Sequence, residues 1–233
     1  MKVIVINGSP RMDKGYTARI LEPLMEGMQD AGAEVILLYS SKLKIKPCTG
    51  EFHCWFKKPG ECIFKDDMQS VYKIMKDSDI LILATPVYVP LPGDMQKLIN
   101  RCLPLMEPVL KSKNGRTRAR FHKQVKIKKI ILVSTCGWWE LGNFDTVKHI
   151  VEEIASNFSV EFGGAVLRPH ASAMDSRPDD RKIIIKTLIK AGYQLIKEGK
   201  ISNDKLELIS KPLVPFEDYL KEETDYYLSV KGS

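Results

Sequence analysis

The sequence predicts an α/β fold in which helices cover both faces of a five-stranded parallel sheet. Three observations carry this. Short apolar, β-branched runs recur without polar alternation, as in strands buried on both faces. Segments of helical period separate them at the spacing of right-handed crossovers. Gly, Pro and hydroxyl residues gather just after several of the runs, where a doubly wound sheet carries its ligand loops. At 233 residues the chain suits one α/β domain with an extension, and it is long enough to bury a substantial core.

The first strand is the run Val3-Ile4-Val5-Ile6, stopped by Asn7-Gly8-Ser9-Pro10. A helix is expected over 16–29, on Ile20, Leu21, Leu24, Met25 and Met28. Pro23 should kink it or fit only near its first turn. Residues 33–39 form the second strand, and 40–65 an irregular segment holding Cys48, Cys54 and Cys62. Asp66 reads as the N-cap of a helix through Val71, Ile74 and Met75 rather than as half of a catalytic carboxylate pair with Asp67. The third strand is 79–84, followed by a rigid loop with Pro86, Pro90 and Pro92 and a helix over 93–106 that carries Cys102 as buried packing. Residues 111–129 hold nine Lys or Arg and read as a solvated loop, with a docking surface for an acidic partner as the alternative. The fourth strand is 130–135, then a helix over 144–157, the fifth strand over 160–167 and a long helix over 179–197. The tail beyond 200 has prolines at 212 and 215 and an amphipathic stretch over 216–228.

Composition narrows the classes. No apolar run approaches a membrane span, and Met1-Lys2 leads directly into the first strand, so the expectation is a cytoplasmic protein with no membrane partner. A net charge of +7 favours anionic cofactors or acidic partners, and without a binding module it does not imply nucleic acid. Five cysteines in such a chain are expected free, metal-bound or redox-active rather than paired in disulfides.

The chemistry gathers in three loops. Residues 8–17 join a strand to a helix N-terminus, where free amides and the helix dipole favour an anion. Ser9 and Thr17 add hydroxyls, and Arg11 a fork suited to phosphate. Neither a GK[ST] ending nor GxGxxG occurs, so the loop suits a terminal phosphomonoester better than a nucleoside triphosphate or dinucleotide. The simpler alternative is a plain βα turn in which Ser9 forms the turn and Thr17 caps the helix. In strand order 2-1-3-4-5 this loop lies beside 85–90 and 134–139, which offer rigid backbone, Tyr88, Trp138 and Trp139 to a flat heteroaromatic ring. His149 and His170 have no ligand-spaced partner in sequence.

Gly8-Ser9-Pro10-Arg11 with Tyr16-Thr17, the cysteine loop ending in Cys62 and Asp66-Asp67-Met68, Thr85-Pro86-Val87-Tyr88, and Ser134-Thr135-Cys136-Gly137 with Asn143-Phe144 together resemble the flavodoxin-like NAD(P)H-dependent FMN reductases, especially their iron–sulfur flavoprotein branch. The resemblance spans about residues 1–199. It implies a flavodoxin-like FMN-binding domain over 1–200, with the cysteine loop at 41–65 and an extension over 201–233 packing on the domain or on a partner subunit. It implies that Ser9, Arg11, Tyr16 and Thr17 hold the FMN phosphate. Pro86, Val87 and Tyr88 would lie along the isoalloxazine, and Thr135, Cys136, Gly137 and Trp138 would line its other edge. Electrons would pass from NAD(P)H through FMN to a flavin, quinone or similar small acceptor. The alternatives are a carrier fed by an acidic ferredoxin-like protein and a flavin-binding module without turnover. A homodimer or homotetramer is expected. No catalytic side chain is assigned, since the flavin carries the chemistry.

The cysteine loop departs from the branch's pattern, because Glu51 stands where the second of four cysteine ligands is expected. A cubane cluster uses four thiolates. The reading is a loop without a metal. A cluster on Cys48, Cys54 and Cys62 is the first alternative, and zinc on these with His53 the second.

Overall fold

A computed structural model describes residues 1–113 and 115–231. Five strands form one parallel sheet: β1 (Lys2–Asn7), β2 (Glu34–Tyr39), β3 (Ile80–Pro86), β6 (Lys129–Thr135) and β7 (Glu161–Arg168), in the order β2-β1-β3-β6-β7. Counting only these strands, the order is the expected 2-1-3-4-5. The register pairs Val5 with Leu37 on one side and Ile82 on the other, and Leu83 with Leu132.

Both faces of the sheet are covered, which is why the strands lack polar alternation. Val3 and Val5 point to a layer made by α1 (Tyr16–Asp30) and α7 (Pro178–Glu198), with Ile20, Leu24, Ile184 and Leu188 in its core. Ile4 and Ile6 point to α3 (Met68–Asp77), α4 (Gly93–Asn100) and α5 (Asp145–Phe158), through Val71, Met75, Leu98, Val147 and Val151. Two glycines let α1 and α7 approach closely. A Cβ on Gly27 would lie 1.8 Å from the Ile189 carbonyl oxygen, and one on Gly192 would lie 2.0 Å from that of Leu24. Short helices α2 (His53–Phe56) and α6 (Ala173–Ser176) sit in connections, and α8 (Asn203–Ser210) and α9 (Phe216–Lys231) form the C-terminal extension. Among the described residues no helix is long and apolar enough to cross a membrane.

The structure corrects five sequence expectations. The basic segment is no solvated loop. It carries part of an antiparallel ribbon, β4 (Met106–Lys113) with β5 (Arg116–Phe121). In β5, Ala119 and Phe121 face inward and Phe121 packs on Phe158 at 4.5 Å. Its arginines are paired, Arg116 and Arg118 with Glu153 and Arg120 with Glu107. The helix expected to reach 106 stops at Asn100, because Pro104 has no amide for a helical bond and its ring opposes the carbonyl four residues back. Cys102 is buried as expected, but in the turn after the helix rather than on it. Of the two outcomes expected of Pro23, a place near the first turn is ruled out, since α1 begins at Tyr16 and continues through it to Asp30. Finally, residues 203–210 are helical, where no helix was read.

Candidate functional site

The carboxyl ends of β1, β3, β6 and β7 meet at one pocket of about 190 Å³. It lies at the switch point between β1 and β3, where the chain reverses its direction of winding. Local bonds tie the loops together. The Gly8 amide donates to the Ala84 carbonyl at 2.7 Å, and the Val87 amide to that of Thr135 at 2.9 Å. The Thr17 and Thr135 hydroxyls, both buried, lie 2.9 Å apart and join the first loop to that after β6.

The first loop is folded by its own sequence. Asn7 Oδ1 accepts the Ser9 amide at 2.9 Å, and Ser9 Oγ accepts that of Arg11 at 3.3 Å. The chain then turns through a 3-10 segment, Met12–Lys14, into α1, whose first amides have no helical carbonyl behind them. Gly15 leaves room for Ser9: a Cβ there would lie 2.7 Å from Ser9 Oγ and would turn that hydroxyl away from the loop.

Of the eleven residues singled out from sequence, ten line this pocket: Ser9, Arg11, Tyr16, Thr17, Pro86, Val87, Tyr88, Thr135, Cys136 and Gly137. Trp138 does not. The residue is 61 % exposed, while its carbonyl accepts the His170 amide and the Cys136 thiol. The Tyr16 hydroxyl is also engaged outside the expected role, donating to Asp175 at 2.8 Å. Burial first, and then that bond, raise the Tyr16 hydroxyl above its ordinary value. Burial likewise raises the Cys136 thiol above its ordinary value. Sequence reasoning missed Pro10, Gly15, Ala171 and Ser172. The last two follow β7, and the rule that ligands sit beyond strand carboxyl ends was the signal that could have found them.

The residues fit FMN in chemical type. Hydroxyls, a guanidinium and a helix N-terminus suit its phosphate, and flat apolar walls suit its ring.

A second constellation lies apart from this pocket. Cys48, Glu51, Cys54 and Cys62 line a cavity of about 10 Å³ with Phe52, Phe64, Arg101 and Leu103. The Thr49 hydroxyl donates to Glu51, and burial pushes the Cys54 thiol up to about 11. The branch implies an iron–sulfur cluster here. The residues do not fit a cubane: they supply three thiols rather than four, around a void about one water wide. Among the described residues, no group of three or more His, Cys, Asp or Glu is disposed to hold a metal ion. The loop is anchored by a buried ion pair instead. Arg101 donates to Asp66 at 2.8 and 3.2 Å, and Asp66 also accepts the amides of Lys46 and Met68. Burial pushes the Asp66 carboxyl up, but these bonds and the Arg101 charge outweigh it and hold it below the ordinary carboxylate range. The capping bond expected of Asp66 is therefore one of four. The N-cap position itself belongs to Asp67.

Comparison with known proteins agrees with this geometry. The family model for NADPH-dependent FMN reductase matches residues 1–171. The chain belongs to that family. An iron–sulfur flavoprotein of Archaeoglobus fulgidus is 38% identical over 117 residues, covering 49% of this chain and 52% of that protein. One from Methanocaldococcus jannaschii is 36% identical over 117 residues, covering 50% and 58%. The chain thus spans about half the length of the curated relatives it matches. Among solved structures, an NAD(P)H:quinone oxidoreductase from Methanothermobacter marburgensis superposes with a TM-score of 0.59 at 14% identity, over 84% of this chain and 98% of that one. An FMN-dependent NADH-azoreductase from Bacillus anthracis gives 0.58 at 11% identity, over 84% and 99%. These distant likenesses establish the flavodoxin-like fold.

Proposed function

We propose that the protein is an FMN-dependent oxidoreductase that passes electrons from NAD(P)H through bound FMN to a flavin, quinone or similar small acceptor. The observation that carries this is the convergence of ten sequence-selected residues from three loops on one pocket at the switch point, in a chain of the FMN reductase family. When bound, the flavin supplies the hydride and electron chemistry. The chain's own residues bind and orient. Ser9, Thr17, Arg11 and the first amides of α1 take the phosphate, Arg11 through its charge. Pro86, Val87 and Tyr88 lie along one side of the ring, and Cys136 and Gly137 along another. Tyr88 is 51 % exposed and the adjacent Val89 fully so, which leaves the mouth lined for a flat, apolar acceptor. No side chain is given an acid–base role. A homodimer or homotetramer belongs to the same reading.

A second reading, a carrier fed by an acidic protein, is favoured by one feature. The β4–β5 ribbon and the turn after it expose Lys111, Lys113 and Lys123, beyond the arginines already paired. Steep salt dependence of electron transfer from such a partner would support it.

Arg11→Ala tests the site. Losing one charge-assisted bond costs about 1.5–3 kcal/mol, so the FMN Kd should rise roughly ten- to a hundredfold while the melting temperature stays unchanged, because Arg11 is exposed. Unchanged FMN affinity, measured by fluorescence titration, would remove Arg11 from the phosphate site.

A further inference from the structure

The family model ends at residue 171, yet the wall of the pocket is backed by segments well beyond it. The wall consists of Cys136 and Gly137 with Ala171 and Ser172, cross-linked through the Ala171 amide to the Cys136 carbonyl at 3.1 Å. Behind it stands His170, buried and in the left-handed region at φ 43°, its amide donating to the Trp138 carbonyl at 2.8 Å. A non-glycine residue holds that backbone only when its surroundings enforce it. Around the His170 side chain those surroundings include the C-terminal extension. The Tyr219 ring of α9 packs edge-on against His170 at 4.7 Å, and Glu223 Oε1 lies 3.6 Å from His170 Nε2. On the neighbouring side, Trp139 donates through Nε1 to the Val214 carbonyl at 2.9 Å and packs on Phe216 at 5.2 Å. Arg177 pairs with Glu222 at 2.9 Å, and Arg168 donates to the carbonyls of Ile209 and Lys211.

We infer that α9 is a brace for the cofactor pocket, and that Tyr219 and His170 are positioning residues that fix the 136–138 and 170–172 segments. Neither touches the pocket. Tyr219 holds the ring of His170, the ring holds its strained backbone, and that backbone holds the carbonyl of Trp138 and the chain leading into Ala171. The inference deepens the FMN reading and depends on it only for the binding arm of its test.

The test compares Tyr219→Ala, Tyr219→Phe and His170→Asn in the full chain. Asn tolerates the left-handed backbone, so His170→Asn removes the ring while sparing the fold. Amide hydrogen exchange is followed across 136–138 and 170–172, and FMN affinity is measured alongside. In Tyr219→Ala and His170→Asn, exchange in both wall segments should quicken by about tenfold or more as the local structure opens. The FMN Kd should rise by roughly fivefold, because a wall released by its support no longer holds binding geometry. Tyr219→Phe keeps the ring and should match the unaltered chain in both readouts. Faster exchange confined to α9, with the two wall segments unchanged, overturns the brace. So does a Tyr219→Phe variant as loose as Tyr219→Ala. If the unaltered chain takes up no FMN, the cofactor reading fails, and the exchange readout still decides for or against the brace.

Discussion

Asp66→Asn should destabilise the protein far more than an ordinary carboxylate-to-amide change. Arg101 and Asp66 form an ion pair whose side chains are only 1 % and 7 % exposed. The carboxylate accepts four hydrogen bonds: two from Arg101, one from the Lys46 amide and one from the Met68 amide. Asn preserves the shape and one acceptor, but it leaves the guanidinium buried without a counter-charge. Breaking such a pair costs about 3–5 kcal/mol. For a chain of this size each kcal/mol moves the melting temperature by about 2–4 °C, so a fall of roughly 6–20 °C is expected. Urea denaturation with a shifted midpoint and unchanged slope is the assay. The double variant Asp66→Leu/Arg101→Met should recover most of the loss, because it removes both charges. FMN affinity should not change in either, since the pair neither lines the pocket nor backs its wall but anchors the separate cysteine loop. The pH dependence has a definite sign. The folded carboxyl lies below its ordinary value of 3.8, so its contribution is complete above 3.8 and fades as pH falls through the lower folded value. Asp66→Asn should abolish that part of the acid sensitivity. A loss under about 1 kcal/mol in Asp66→Asn would refute the reasoning, for it would mean that water or another group compensates Arg101.

Two glycines give further tests. Gly15→Ala puts a Cβ 2.7 Å from Ser9 Oγ. The hydroxyl can rotate away, so stability should change by less than about 0.5 kcal/mol, while the loss of one ordinary hydrogen bond to phosphate weakens FMN roughly two- to tenfold in a fluorescence titration. Gly27→Ala should destabilise despite the better helix propensity of Ala, worth up to about 1 kcal/mol, because its Cβ would overlap the Ile189 carbonyl and overpacking costs about 1–3 kcal/mol. A urea midpoint that rose instead would contradict the close approach of α1 and α7.

The parallel sheet was legible because its central strands β1, β3 and β6 are buried on both faces, so hydrophobicity alone marks them, and the half-buried edge strands β2 and β7 still read as apolar runs. Strand order then placed three loops side by side, and the structure assembles them as that order requires. The β4–β5 ribbon was not legible. Its inward residues are few, Ala119 and Phe121 in β5, and they alternate with arginines paired to Glu107 across the ribbon and to Glu153 on α5. Trp138 falls outside the pocket lining for a related reason. Composition marks a ring-rich loop, but the Trp139 ring is held by the C-terminal extension, through the Val214 carbonyl and the Phe216 ring, more than seventy residues on, while Trp138 stays exposed. The left-handed backbone of His170 is equally silent in sequence, because its cause is tertiary.

Flavin binding and turnover are tested together by the absorption spectrum of the purified full chain incubated with FMN, desalted, and then titrated with NADH or NADPH without oxygen. Flavin should remain with the protein, one of the two nicotinamides should bleach it, and an added quinone should restore it. Protein that keeps no flavin after desalting and shows no FMN binding in titration would contradict the central claim.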